Sequence, residues 1–406
     1  MFSGTLGFRY DGRGPSLEQT PIANTDITAD ITIEKLVAGG EGLGFLDGKA
    51  VFVAGTIAGE KVRVRLTQQR KDFDRATVVS VVEPSASRQT PPCRLAGVCG
   101  GCDWLHIGYE QQLEQKAAII REAFGRVGRF RWDAITVHPG LPLGYRNRVQ
   151  MHRDPRGRLG FMGAGSLRIV PVAECPVCDP AINRIFAEPA RAPTDRDRFT
   201  VWGSVETAAV EGIDDSRRLE AVVNGKKIAF SVACFFQSNL ALLEQLVPFV
   251  MEDLAGKSAA DLYCGVGLFG AFLAERFSKV TGVESSSLSL SYARGNVPGE
   301  MNDFYPLSVE QWIEAGAAAG SFDAVVVDPP RSGLSPEVRR WLRRKGPARL
   351  VYVSCNPVTL ARDLGELTRG GFAIDKVGLF DFFPQTSHVE TVARLRFSAG
   401  PRGTVE

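Results

Sequence analysis

Nowhere in the 406 residues is there a run of about 18 apolar side chains, which argues against a membrane-spanning helix. Neither charge is in excess. The 48 Lys and Arg against 46 Asp and Glu leave a formal net charge of +2, so any surface for nucleic acid has to come from local patches. Eight cysteines are too few for a disulfide scaffold in a chain this long. Internal repeats and low-complexity tracts are missing as well. The opening MFSGTLGFRYDGRGPSLEQT has no lysine-led apolar core of the signal-peptide kind. These absences lead us to expect a cytoplasmic protein with no membrane partner. In that reducing setting, clustered cysteines serve metal binding or catalysis.

What is present divides into segments. Residues 1–27 are turn-rich and expected to be flexible. Over 28–85 short alternating strands, punctuated by Gly and Asp, predict a small β-barrel of the OB type. Lys61, Arg63, Arg65, Arg70, Lys71 and Arg75 crowd this stretch, as a solvated strand face or an RNA surface. PSASRQTPPC reads as a linker, and a strand-rich central region with an amphipathic helix extends over 86–235. From 236 to 400 strand and helix signals alternate, which predicts parallel βαβ units and a doubly wound, Rossmann-like α/β sheet.

The central region opens on CRLAGVCGGCDWLH, with Cys93, Cys99 and Cys102 spaced C-x5-C-x2-C. Cys175 or Cys178 in ECPVCDP offers a fourth thiol. Four thiolates suit zinc or an iron–sulfur cluster, and the spacing does not choose between them. The plain alternative is four unrelated buried thiols. His106 is a spare ligand candidate or a packing residue.

A second group of signals falls at strand ends. DLYCGVGLFG is a strand, a glycine turn and a helix, with Gly265, Gly267 and Gly270 in G-x-G-x-x-G spacing. Glu284 ends the next strand, where a carboxylate accepts the two ribose hydroxyls of a nucleoside cofactor. FDAVVVDPPRSGL runs its apolar stretch into Asp328. Cys355 ends the following strand in RLVYVSCNPVTLARDL, and Glu390 begins the last one. In open α/β sheets ligands bind at such carboxyl ends. Pro357 suits the first turn of a helix, whose N-terminus is expected to lower the Cys355 thiol pKa.

FFQSN, DLYCGVGLFG, DPPRSGL, YVSCNPVTLARDL and FPQTSHVETVARL, in that order, resemble the RNA uracil-5-methyltransferase family. The likeness is greatest to its iron–sulfur bacterial members acting on large-subunit ribosomal RNA, and it covers about residues 30–397. The N-terminal barrel resembles the TRAM domain of many members. The resemblance implies a class I methyltransferase domain and a [4Fe–4S] cluster on Cys93, Cys99, Cys102 and Cys175, with Cys178 extra. It implies S-adenosylmethionine contacts at Gln237, Tyr263, Gly265, Glu284 and Asp328. Leu268 and Ser308 depart from the pattern, Ser308 standing where an aspartate or asparagine often reaches the adenine.

The implied reaction needs a nucleophile and a base near one ring, roles that fall on Cys355 and Glu390, with His388 and Asp381 as alternative bases. The ring belongs to a flipped or unpaired uridine. Arg146, Arg148, Arg153, Arg156 and Arg158, with Tyr145 as a stacking face, offer RNA contacts. Arg339, Arg340, Arg343, Arg344 and Lys345 add a basic helix. We expect a monomer acting on ribosomal rather than transfer RNA. The competing readings are a transfer-RNA uracil-5-methyltransferase, a methyltransferase for an amine acceptor, and an iron–sulfur RNA-binding factor without methyl transfer.

Overall fold

The structure, a computed structural model, describes residues 27–398 apart from residues 206 and 319. The segment expected to be flexible, 1–27, therefore lies outside the described residues but for its last position. Five strands, β1 (Thr28–Leu36), β2 (Gly42–Leu46), β3 (Lys49–Val53), β4 (Lys61–Gln69) and β5 (Phe73–Glu83), close into a barrel in the order β1-β2-β3-β5-β4. Strand periodicity puts Ile31, Ile33, Val62, Val64 and Leu66 inside and leaves Arg63 and Arg65 outside. Much of the basic stretch is neutralised where it stands: Arg63 pairs with Asp30, Lys61 with Glu83 and Arg75 with Glu41.

Helix α1 (Tyr109–Ala123) follows, then β6 (Ile135–His138). Strands β7 (Arg148–Arg153), β8 (Leu159–Met162), β9 (Ile169–Pro171), β10 (Arg198–Ser204) and β11 (Thr207–Val210) form an antiparallel sheet in the order β11-β10-β7-β8-β9. Helix α2 (Pro180–Ala187) packs on that sheet through Ala181, Ile182 and Ile185. β12 (Leu219–Val223) and β13 (Lys226–Phe230) make a hairpin turned at Asn224-Gly225, both with positive φ, the signature of a tight two-residue turn.

The rest is a layered α/β domain. Its elements are α3 (Leu240–Met251), β14 (Gly256–Leu262), α4 (Leu268–Leu273), β15 (Phe277–Val283), α5 (Ser287–Asn296), β16 (Asp303–Tyr305), α6 (Val309–Glu314), β17 (Ala324–Val327), α7 (Pro336–Lys345), β18 (Arg349–Ser354), α8 (Pro357–Arg369), β19 (Phe372–Phe380) and β20 (Glu390–Phe397). The eight-stranded sheet runs β16-β15-β14-β17-β18-β20-β19-β6. β14 to β18 are mutually parallel, and their runs such as AVVV are buried on both faces.

Two features go beyond simple alternation. β20 runs antiparallel to β18, with Ser354 opposite Thr391. An antiparallel strand starts where its parallel neighbours stop, so Glu390 at its head reaches the edge where β14, β17 and β18 end. Secondly, α1 and β6, although inside 86–235, join the methyltransferase layer. β6 pairs with β19, while Ala117, Ile120 and Ala123 pack with Leu360, Ala361 and Leu364 of α8.

Candidate active site

The glycine turn after β14 is a strained one. Tyr263 has φ 63°, Gly265 54° and Gly267 83°. At Gly267 a side chain would meet Ala293 at 3.0 Å, whereas at Gly265 a Cβ would project into open space, room for a ligand against bare backbone. Asp261 in β14 braces the turn by accepting the Gly270 N–H at 2.8 Å. Burial pushes its carboxyl up to about 7, and its Oδ1 has no partner. Sequence reasoning passed over this residue although it sits inside the motif.

Glu284 follows β15 and is half-buried; it accepts from Gly265 N–H at 3.2 Å and from Ser286 N–H at 2.7 Å. Leu268 is buried in the core beneath the turn. Ser308 stands at a helix start. It is the N-cap of α6, accepting from Gln311 N–H at 3.2 Å, while its own N–H donates to the Gln311 side chain at 3.0 Å. In this capping box the hydroxyl oxygen accepts from the backbone, and its own O–H is left to donate. The S-x-x-Q signature that marks it was readable in the sequence.

Gln237 is half-buried in the turn between β13 and α3. Phe236 behind it is buried and stacked on Phe230 at 4.3 Å, while Phe235 before it is 62% exposed. The Arg148 guanidinium lies over the Phe235 ring at 5.3 Å. The aromatic face offered to solvent is thus Phe235. Tyr145, expected to stack, is buried, with its hydroxyl donating to the Pro384 carbonyl at 2.9 Å. Arg153 is spent on the Gly157, Ala192 and Pro193 carbonyls, and Arg339 in α7 is buried against Asp363 and Glu366.

Asp328 after β17, Cys355 after β18 and Glu390 at the head of β20 lie at one sheet edge, close enough that both carboxylates act on the Cys355 thiol and Asp328 acts on Glu390. Burial pushes Asp328 up to about 7. Burial and then the Asp328 charge hold Glu390, 5% exposed, well above the usual carboxylate range. The Cys355 thiol is pushed up to about 12, by burial first and then by Glu390 and Asp328. This reverses the expected lowering. α8 does begin at Pro357, capped by Asn356, but partial charges at a helix terminus are outweighed by desolvation and two carboxylates.

One opposing charge reaches the pocket. Arg331, exposed in the DPPRSGL loop, lowers both Cys355 and Glu390. Its carbonyl is held by Asn356 Nδ2 at 2.9 Å and Thr359 Oγ1 at 3.2 Å, and its guanidinium has no ion pair among the described residues. The motif is plain in the sequence, but the role of its arginine is set by Cys355 and Glu390, which lie outside it. Of the alternative bases, Asp381 is fully buried in an ion pair with Lys116 at 2.6 Å. His388 is pushed down to about 4 by burial and Arg331, a weak proton acceptor.

Cys93, Cys99, Cys102, Cys175 and Cys178 line one cavity of about 200 Å³, with Arg146 at its wall. Burial and neighbouring thiols push Cys99 up and Cys102 up to about 12, whereas Cys175, receiving the Cys178 S–H, is lowered to about 6. Among the described residues no three His, Cys, Asp or Glu side chains converge as a site for a metal ion. What brings the thiols together is the shared cavity and the mutual electrostatic effect of Cys99, Cys102 and Cys175. His106 faces away, its ring against the Thr56 carbonyl at 3.4 Å.

Residues 214–396 match the family described as tRNA (Uracil-5-)-methyltransferase, and residues 28–79 match the TRAM domain. A 23S rRNA (uracil(1939)-C(5))-methyltransferase of Alkalilimnicola ehrlichii is 31% identical, over 90% of this chain and 95% of that protein. The chain belongs to the RNA uracil-5-methyltransferase family. An RNA methyltransferase of Bdellovibrio bacteriovorus is 33% identical, over 90% of this chain and 94% of its own length. Among solved structures, the Pyrococcus abyssi tRNA (uracil-54, C5)-methyltransferase in complex with S-adenosyl-L-homocysteine aligns with a TM-score of 0.67 and 26% identity. The alignment covers 90% of this chain and 100% of that one. The expected class I methyltransferase fold and TRAM barrel agree with these matches. This RNA uracil-5-methyltransferase is S-adenosylmethionine-dependent and takes RNA as its substrate. No helix among its described residues is long and apolar enough to cross a membrane.

Proposed function

We propose that this enzyme methylates carbon 5 of a uridine in large-subunit ribosomal RNA through a covalent bond between Cys355 and carbon 6. The observation that carries the chemistry is the convergence of Cys355, Asp328 and Glu390 at one sheet edge beside the open glycine turn. When bound, S-adenosylmethionine supplies an electrophilic sulfonium methyl group. Glu284 accepts its ribose hydroxyls, and Gln237, Tyr263, Gly265 and Asp328 line the remainder of its site. Ser308, whose O–H can still donate, is the candidate on the adenine side.

The order of events follows from the reactivity of uracil, whose carbon 5 is too weak a nucleophile unaided. Once the Cys355 thiol has released its proton to water, the thiolate Sγ bonds to carbon 6 as the C5=C6 π pair shifts toward O4, giving an enolate. Arg331, the cation facing the pocket, stabilises the thiolate and this negative charge. Carbon 5 then takes the methyl group as the S–CH3 bond breaks, leaving a neutral thioether. Glu390 removes the carbon-5 proton; that pair restores C5=C6, and the C6–S bond breaks to return the thiolate. The ring is flipped out of its helix, with Phe235 a stacking platform for an unpaired base.

Cys93, Cys99, Cys102 and Cys175 would hold a [4Fe–4S] cluster, a reading supported by their common cavity. When bound, the cluster ties residues 93–102 to residue 175; methyl transfer, being redox-neutral, asks nothing more of it. Ribosomal over transfer RNA is favoured by the higher identity to the 23S rRNA enzyme than to the tRNA enzyme. The deciding experiment is a map of 5-methyluridine in total RNA from cells with and without the gene. One uridine of 23S rRNA should lose its methyl group and regain it on complementation. Loss in transfer RNA alone would overturn the ribosomal reading.

A further inference from the structure

No described residue donates a hydrogen bond to the Glu390 carboxylate, so no side-chain bond aims it. Its position is set by its backbone, through ladder pairing with Phe380 on one side and residues 381–389 on the other. That connection is held almost wholly from outside its own sheet. Lys116 Nζ bonds Asp381 at 2.6 Å and the Phe383 carbonyl at 3.1 Å. Gln112 Nε2 donates to Gln385 Oε1 at 3.0 Å, and Gln385 N–H returns a bond to Gln112 Oε1 at 2.9 Å. Trp104 N–H donates to the Gln385 carbonyl at 3.0 Å, and Asp103 accepts from Ser387 N–H at 2.9 Å.

Gln385 has φ 68°, a left-handed conformation unfavourable for a residue with a side chain. Such backbone persists where its surroundings over-determine it, and it concentrates at functional sites. Here the surroundings are the two reciprocal amide bonds from Gln112, itself fully buried. Lys116 and Asp381, both fully buried, form an ion pair of the kind that adds little net stability but fixes geometry.

We propose that Gln112 and Lys116 of α1 are positioning residues of the proton-abstraction step, holding the 381–389 connection so that Glu390 reaches carbon 5. The proposal rests on the reading of Glu390 as the base. It makes α1 part of the catalytic apparatus. It also joins that apparatus to the cysteine segment, since Asp103 and Trp104 directly follow Cys102.

The test separates steps of turnover. In Gln112→Leu, kcat should fall about tenfold, since small misplacements of reacting groups are costly, while KM for RNA and for S-adenosylmethionine stays within about twofold. A denaturation-resistant RNA–protein species should build up during turnover, because methyl transfer outruns proton removal. Lys116→Met combined with Asp381→Leu, which replaces the ion pair by apolar side chains, should give the same build-up independently. Wild-type turnover in both variants overturns the proposal. So does slowed turnover without build-up, which marks a merely structural role. Glu390→Gln is run alongside: if it traps no adduct, the assignment of the base fails first. If it traps adduct and the α1 variants do not, only the positioning role fails.

Discussion

The protein keeps two sets of thiols in two differently furnished pockets. At the sheet edge Cys355 sits among carboxylates, Asp328 and Glu390, with Arg331 opposing them. In the central region Cys99, Cys102 and Cys175 sit among one another, with Arg146 at the wall. Burial raises Cys355 and Cys102 alike, to about 12. What differs is the kind of positive charge each pocket awaits. The carboxylate pocket suits a cation that comes and goes, such as a sulfonium that leaves as a neutral thioether. The thiol-lined pocket holds no carboxylate, so nothing in it is matched to a passing sulfonium.

That contrast can be broken most forcefully at the nucleophile. Cys355→Ala should cut methylation by about 1,000-fold or more and abolish any covalent RNA species on a denaturing gel. Near-normal turnover would remove Cys355 from the reaction. Glu390→Gln should lower kcat by about 100-fold or more while the covalent species accumulates. A third measurement uses alkylation of Cys355 by iodoacetamide. Because the thiol pKa is raised, the thiolate is scarce at neutral pH, so the rate should still be climbing at pH 10 in the free protein. A bound cation lowers that pKa and enlarges the thiolate fraction. S-adenosylmethionine should therefore speed alkylation at pH 8 by about tenfold, and S-adenosylhomocysteine should not. Equal effects of both would show that charge is not the activator.

The smallest effect is expected in the other pocket. Cys178→Ser should leave iron and acid-labile sulfide content unchanged, whereas Cys102→Ser should lose both along with visible absorbance. If Cys178→Ser loses the iron, the ligand set must be redrawn.

Legibility in the sequence followed the range of the interactions involved. Glu284, Asp328 and Cys355 could be placed because parallel strands end at one edge, a rule carried by local pattern. Glu390 could be named, but its reach to that edge needs the reversal of β20. The Cys355 thiol was misjudged because Pro357 is a neighbour in sequence, while the carboxylates that dominate it arrive from β17 and β20. Tyr145 looked available for stacking because nothing near it says that Pro384 waits above its hydroxyl. Helix α1 showed an amphipathic pattern and no trace of what Gln112 and Lys116 would meet.

The pair formed by Lys116 and Asp381 has a bearing on how the enzyme is made. Its members are 265 residues apart. At 5–20 residues per second, synthesis leaves roughly 13–53 s between the lysine and its partner. During that interval α1 carries an amine that cannot be buried without cost, so it stays loosely docked. The pocket therefore closes only as the last strands emerge from the ribosome. An abortive fragment ending before Asp381 would carry Cys355 but lack both the partner of Lys116 and the base that releases the RNA.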